Sequence, residues 1–303
     1  MSEYLARRLP GAEYRPLSKV VWMIAFWELV RPRLVSTVLF TIVVAGWATS
    51  STMDWLIVGH VLVGSALVII GSIALNQAYE HRSDAKMART AGRPVPSGRL
   101  TVRHAALFGV ACSSGGFAYL WLLTTPTVAA AAAVSWVFYV LLYTPLKTVT
   151  VWQTPIGAVS GAMPIMIGAA AADAVFTTPA LVLFGIMYFW QFPHTMAIAW
   201  LHREDYSKAG VKVAAVVDTS GRLAAWVAIV GAAVLAVVGA APALWLDRPW
   251  IYAAWALLLG AGYLWLSIAF ALARTNQTAR RLLFASLIYL PLMLGGFLLA
   301  VKL

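Results

Sequence analysis

Long apolar stretches alternate with short polar ones along the chain, and nine of the apolar stretches are long enough to cross a bilayer as helices. Their expected limits are 34–53, 55–75, 104–124, 127–142, 156–172, 179–200, 223–245, 250–273 and 282–301. The expected fold is all-α, a polytopic membrane protein of nine transmembrane helices. It forms one domain over 1–303, with 1–30 as a cytoplasmic amino-terminal arm. That arm is polar and basic up to Lys19 and lacks the apolar core of a cleavable signal peptide. The fifth span carries Gly157, Gly161 and Gly168, small residues expected to let helices approach closely.

Charge sorts with the spans. Of 22 Lys and Arg, 20 fall in the amino-terminal arm and in the loops after spans two, four, six and eight. Only Arg248 and Lys302 fall on the other side. A bias of this kind places the first side in the cytoplasm, and one missed helix would scramble it. The loops on the opposite side are short and almost free of charge, so chemistry is expected on the cytoplasmic face. Composition agrees: 62% of the residues are hydrophobic and 11% charged, and the mean hydropathy is +0.82. A soluble domain has no interior large enough for that much apolar surface. The net charge of +11 does not indicate nucleic acid, because the basic residues sit in alternate loops without any nucleic-acid motif. The single cysteine, Cys112, cannot form an internal disulfide.

Candidate chemistry concentrates in three blocks. Asn76-x-x-x-Glu80-x-x-x-Asp84 follows the second span. On a helix, four-residue steps drift only about 40° each, so the three side chains share a face. A carboxamide and two carboxylates together suit Mg²⁺, a hard cation that takes oxygen ligands. Carboxylates at a bilayer edge are costly unless used. Lys86, Arg89, Arg93 and Arg99 follow, cations able to hold phosphate oxygens, so the block reads as a lipid diphosphate site. Arg82, two residues from Glu80, is expected to point elsewhere. The second block is Tyr143-Thr-Pro-Leu-Lys147. Lys147 reads either as a diphosphate ligand or as an anchor snorkelling from a helix end. The third block runs from Trp190-Gln191-Phe-Pro193-His194 to Arg203-Glu204-Asp205-Tyr206-Ser-Lys208. Its carboxylates offer a second oxygen-rich wall, flanked by Arg203 and Lys208. His194, about two turns inside the membrane, reads either as a functional group or as a histidine hydrogen-bonded within the bundle.

In this order and spacing, the blocks resemble the UbiA-type intramembrane prenyltransferase superfamily, and within it the protohaem IX farnesyltransferases (haem O synthases). The matching pieces are Asp84-x-x-Met87-x-Arg89-Thr90-x-x-Arg93-Pro94-x-Pro96-x-Gly98 with Asn76, then Tyr143-Thr-Pro-Leu-Lys147, Gly157-Ala-x-x-Gly161-Ala-x-Pro164, and Trp190-Gln-x-Pro193-His194 with Arg203-Glu-Asp205-Tyr206. The resemblance implies nine helices bundled around a central cavity, and transfer of a farnesyl group from farnesyl diphosphate to a vinyl group of haem B. It implies Mg²⁺ held by Asn76, Glu80, Asp84 and Asp205, with Tyr206 completing the second wall. Diphosphate would meet Arg89, Arg93 and Lys147, aided by Arg203 and Lys208, and His194 would face haem or the substrate cavity. It also implies contact with membrane lipid and with haem-copper oxidase assembly or haem A synthase. The alternatives are a prenyltransferase for a quinone or other aromatic acceptor, and a non-catalytic haem-handling protein. Three departures stand out: Glu80 where the family usually has Asp, Arg82 where another Asp is common, and Val211-Lys212-Val213 where a Pro-Met-Leu-Pro run is usual.

Overall fold

The computed structural model describes residues 19–50, 53–246 and 249–302. Arg7, Arg8, Arg15 and Arg248, which enter the charge sorting, and the first 18 residues of the arm lie outside the described residues. Among the described residues all regular structure is helical: α1 (Lys19–Val30), α2 (Pro32–Thr49), α3 (Trp55–Asp84), α4 (Val102–Leu123), α5 (Pro126–Trp136), α6 (Gln153–Ala171), α7 (Thr178–Leu201), α8 (Arg203–Ala209), α9 (Ala214–Val217), α10 (Arg222–Ala240), α11 (Pro249–Ala273) and α12 (Asn276–Lys302). Nine helical stretches among them are long and apolar enough to cross a membrane. This is a multi-pass membrane protein.

Starts and stops follow local chemistry. Asp54 caps α3, its Oδ1 accepting from the Leu56 and Ile57 amides at 2.9 and 3.3 Å. Thr101 and Thr125 cap α4 and α5 in the same way, and Pro126 opens α5 where its missing N–H costs nothing. Arg31 interrupts α1 and α2 with φ 52° and ψ 61°. The residue before a proline is disfavoured in the right-handed helical region, so Pro32 forces the bend and then starts α2.

Two stretches depart from the hydropathy pattern. α3 runs nine residues beyond the expected limit of the second span, to Asp84. Polarity rises at Asn76 but the helix does not end there, because its polar end becomes a cavity wall. The arm, expected to be polar and cytoplasmic, is helical over Lys19–Val30. Its Ala25 and Leu29 are buried against Ala74, Ala78, Val95, Leu100 and Ala105. Val20, Met23 and Trp27 remain exposed on it.

Gly71 and Gly109 let α3 and α4 meet backbone to backbone: a Cβ on Gly71 would lie 2.6 Å from the Gly109 carbonyl oxygen. α7 stands between two packed regions. On one side α2, α3, α5 and α6 surround a cavity. On the other, α10, α11 and α12 close on a core of Leu235, Tyr252, Phe270, Leu282, Met293 and Phe297. Outward residues such as Phe40, Trp121, Val237, Leu258, Trp265 and Leu272 are exposed and apolar, as lipid-facing positions require.

Candidate active site

The cavity holds about 680 Å³ and is lined by α2, α3, α5, α6, α7, α8 and the 210–213 linker. Its mouth is charged. Asn76, Glu80 and Asp84 descend one face of α3 and all line it. Asp84 is 1% exposed and accepts from Arg93 Nη1 at 2.7 Å. The Thr90 hydroxyl donates to the Asp84 carbonyl at 2.8 Å, tying the Arg89–Arg93 loop back to the helix end. Across the mouth, Lys147 Nζ lies 2.7 Å from Glu80 Oε1 and 4.4 Å from the centre of the Tyr143 ring. Burial disfavours the Lys147 ammonium, but Tyr143, Glu80 and Tyr139 together outweigh it and hold its pKa above the ordinary lysine value. Lys147 is therefore cationic at any working pH.

A π-helical stretch, Val137–Tyr143, carries α5 into a last turn, Thr144–Leu146, just before Lys147. Pro145 has no N–H to return to the preceding turn, and its ring crowds that turn, so the helix widens there. Both the amide and the hydroxyl of Thr144 reach back to the Tyr139 carbonyl, the hydroxyl at 2.8 Å. Asn76 Nδ2 then donates to Thr144 Oγ1 at 3.0 Å, joining the two walls. The Lys212 amide donates to the Lys147 carbonyl at 2.6 Å, drawing the linker across the opening. Gly210, at φ 74°, ends α8 and turns the chain into this linker.

From the third block, Tyr206 lines the cavity, with Arg89 6.0 Å above its ring. Burial pushes the Tyr206 hydroxyl up from the ordinary phenol range, so it stays protonated. Asp205 does not line the cavity, and no group of three His, Cys, Asp or Glu converges among the described residues. α8 is a short helix of about two turns beginning after a break at His202, and consecutive residues on a helix diverge by about 100°; presenting Tyr206 inward carries Asp205 aside. Arg203 lies off the cavity, its Nη1 on the Trp200 carbonyl at 2.7 Å and on Asn276 Oδ1 at 3.0 Å. Lys208 is exposed. His194 also lies off the cavity: its Nδ1 pairs with Ser286 Oγ on α12 at 2.7 Å, and its ring stacks on Trp190 at 4.7 Å. Arg82, expected to point elsewhere, borders the cavity.

The site thus brings together Asn76, Glu80, Asp84, Arg89, Arg93, Lys147 and Tyr206. As a donor set, the first three fit a hard divalent cation. Asn76 spends its Nδ2 on Thr144, leaving its oxygen as the free end, and each carboxylate gives one oxygen to a cation.

The model of the UbiA prenyltransferase family matches residues 37–288. The chain belongs to that family. Among similar proteins is the protoheme IX farnesyltransferase of Solibacter usitatus, 41% identical over 282 residues, which span 90% of this chain and 97% of that protein. The enzyme of the same name from Rhodopirellula baltica is 39% identical, over 88% and 96%. In fold, the chain is similar to a digeranylgeranylglyceryl phosphate synthase, with a TM-score of 0.72, 16% identity and coverage of 92% and 98%. It is also similar to a UbiA homologue from Archaeoglobus fulgidus bound to GPP and Mg²⁺, with a TM-score of 0.64, 15% identity and coverage of 90% and 99%.

The candidates chosen from the blocks of this UbiA-family chain omit other residues of the cavity wall. Tyr139, Thr144, Ser160, Gln191 and Thr195 line it, as does Arg31 at the bend. One signal was available: Tyr139-x-x-x-Tyr143-x-x-x-Lys147 repeats the four-residue spacing of Asn76, Glu80 and Asp84 on a second helix.

Proposed function

We propose that this protein transfers a farnesyl group from farnesyl diphosphate to a vinyl group of haem B, at a site opening to the cytoplasmic face of the inner membrane. The observation that carries the reading is a double ion pair at the mouth of a single cavity, Glu80–Lys147 between its two walls and Asp84–Arg93 on one of them. It stands in a chain 41% identical, over nine-tenths of its length, to a protoheme IX farnesyltransferase. The orientation rests on the sorting of Lys and Arg.

Asn76, Glu80 and Asp84 are the residues that would hold Mg²⁺, which the Archaeoglobus homologue binds together with GPP. When bound, the ion neutralises diphosphate charge as the leaving group departs. The rest follows from the side chains. Arg89, Arg93 and Lys147 meet the diphosphate oxygens, and because two of these cations start in ion pairs, substrate binding exchanges one anionic partner for another. Tyr139 and Tyr143, with ring centres 5.8 Å apart, place two aromatic rings in the cavity wall, electron-rich groups that favour the developing allylic cation. The apolar wall of Leu34, Val38, Ile69 and Ile73 takes the prenyl chain and keeps bulk water away from that cation.

The test is reconstitution. Purified protein with farnesyl diphosphate, haem B and Mg²⁺ yields prenylated haem by mass spectrometry. Absence of product from folded wild type, or undiminished product from Asp84→Ala, refutes the proposal.

A further inference from the structure

One polar group deep in the cavity has no counterpart in diphosphate binding. Gln191, on α7, donates both amide protons from Nε2 to backbone carbonyls, of Ala158 on α6 and Met187 on its own helix, each at 3.0 Å. Two carbonyls on one end of a carboxamide fix that end as the nitrogen. Oε1 is left as a pure acceptor, and no donor among the described residues reaches it. It rests where a side chain at position 161 would be: a Cβ on Gly161 would lie 2.1 Å from it. The neighbouring glycines differ. A Cβ on Gly157 would meet the Tyr143 ring at 2.6 Å, and one on Gly168 the Ile42 carbonyl at 2.2 Å. Gly168 serves helix packing, while Gly157 and Gly161 make room for side chains of the cavity wall.

Three hydroxyls of the cavity wall share this polarity. Ser72 donates to the Val68 carbonyl at 2.7 Å, Ser160 to that of Gly157 at 2.8 Å and Thr195 to that of Gln191 at 2.7 Å. Their protons are spent on their own helices, so they too face the cavity as acceptors. An acceptor placed as Gln191 Oε1 is selects a hydrogen-bond donor. The prenyl chain has none, and a metallated porphyrin has no N–H. Water, with two protons to give, fits.

We infer that Gln191 Oε1 holds the water molecule that ends the reaction; the inference rests on the proposed prenyl transfer to haem. Diphosphate departs with the C–O bonding pair. The π pair of the vinyl group forms the new C–C bond to the first farnesyl carbon, and positive charge moves to the vinyl carbon attached to the macrocycle. That cation either loses a proton or takes a nucleophile. The water's lone pair forms a C–O bond to it, one water proton passes to the released diphosphate, and the hydrogen bond to Oε1 keeps the water aimed. The depth agrees. Gly161 is one turn below Gly157, Gly157 packs on Tyr143, and Lys147 is one turn beyond Tyr143, so Oε1 lies one to two turns below the Glu80–Lys147 pair, roughly 5–11 Å.

The experiment compares two products by mass: haem carrying farnesyl plus the elements of water, and the lighter adduct formed by proton loss. Wild type makes the first, and in heavy-oxygen water its new hydroxyl carries the label. Gln191→Leu, which removes the acceptor, turns over more slowly, and its ratio of hydrated to dehydrated product falls about tenfold, the loss of one hydrogen bond. Gly161→Ala, which displaces Oε1 without changing residue 191, shifts the ratio the same way and serves if Gln191→Leu does not fold. An unchanged ratio in the folded variants, an unlabelled hydroxyl, or loss of all prenyl transfer in folded Gln191→Leu overturns the role of Gln191. If wild type makes neither adduct, the proposed function itself fails.

Discussion

α3, α5 and α6 give the cavity its wall, while α10, α11 and α12 give it no residue at all, though α6 on one side and α10 and α12 on the other all pack against α7. The difference lies in how each satisfies its polar groups. On the cavity side they pair at an opening, Glu80 with Lys147 across it and Asp84 with Arg93 on its edge. A ligand can take either partner's place. On the packed side most are consumed internally, the buried Tyr289 hydroxyl and Trp200 Nε1 being without a hydrogen-bond partner among the described residues. Trp190 donates to the Ser286 carbonyl at 2.8 Å, Tyr252 to that of Gly239 at 3.0 Å, and Tyr263 stacks on Tyr289 with centroids 5.0 Å apart. One region keeps exchangeable electrostatics and the other fixed packing.

Substitutions should therefore divide into two kinds. The largest effect is expected from Asp84→Ala, which leaves Arg93 unpaired and removes a carboxylate from the mouth. Turnover should fall on the order of 10³-fold, read by product formation, while the melting temperature in detergent moves little. Phe270→Ala, on α11 and edge-on to Trp200 at 5.8 Å, should do the reverse. It should cost about 3–5 kcal/mol in unfolding free energy with turnover per folded molecule unchanged, because the Phe270 side chain is fully buried among close-packed neighbours. An activity loss from Phe270→Ala matching that of Asp84→Ala would abolish the distinction.

How far this division was readable in the sequence varies by residue. Hydropathy located the spans, and the four-residue spacing of Asn76, Glu80 and Asp84 placed them on one face, because both are periodic properties of a single helix. Placement across helices was not periodic. His194 and Asp205 stood in the same block as Gln191 and Tyr206, yet the first two lie off the cavity and the last two on it. A one-dimensional string does not say which way a helix is rotated against its neighbours. Asp218, another carboxylate beside the third block, caps the start of α10 instead. The Ser220 hydroxyl and the Leu223 amide hold its carboxyl below the usual range.

Within α6 the same contrast can be sharpened two turns apart. Gly168→Ala drives a methyl into the Ile42 carbonyl and should cost about 1–3 kcal/mol in stability. Gly161→Ala meets the end of a flexible side chain and should appear in products instead. The smallest effect is expected from Arg99→Ala. Its exposed pair with Glu28, which fastens α1 to the loop carrying Arg89 and Arg93, should be worth less than about 1 kcal/mol in a thermal melt and should weaken with salt.

The widened stretch at 137–143 has a consequence for the direction in which the chain leaves it. The wide turn absorbs one more residue than an ordinary helix would at the same rotation. Wound as an ordinary helix, the same residues would turn everything beyond them by roughly 100°. The ammonium of Lys147 would swing off Glu80, and Thr144 would lose Asn76. The mouth is thus set by how this segment winds as much as by which residues it holds.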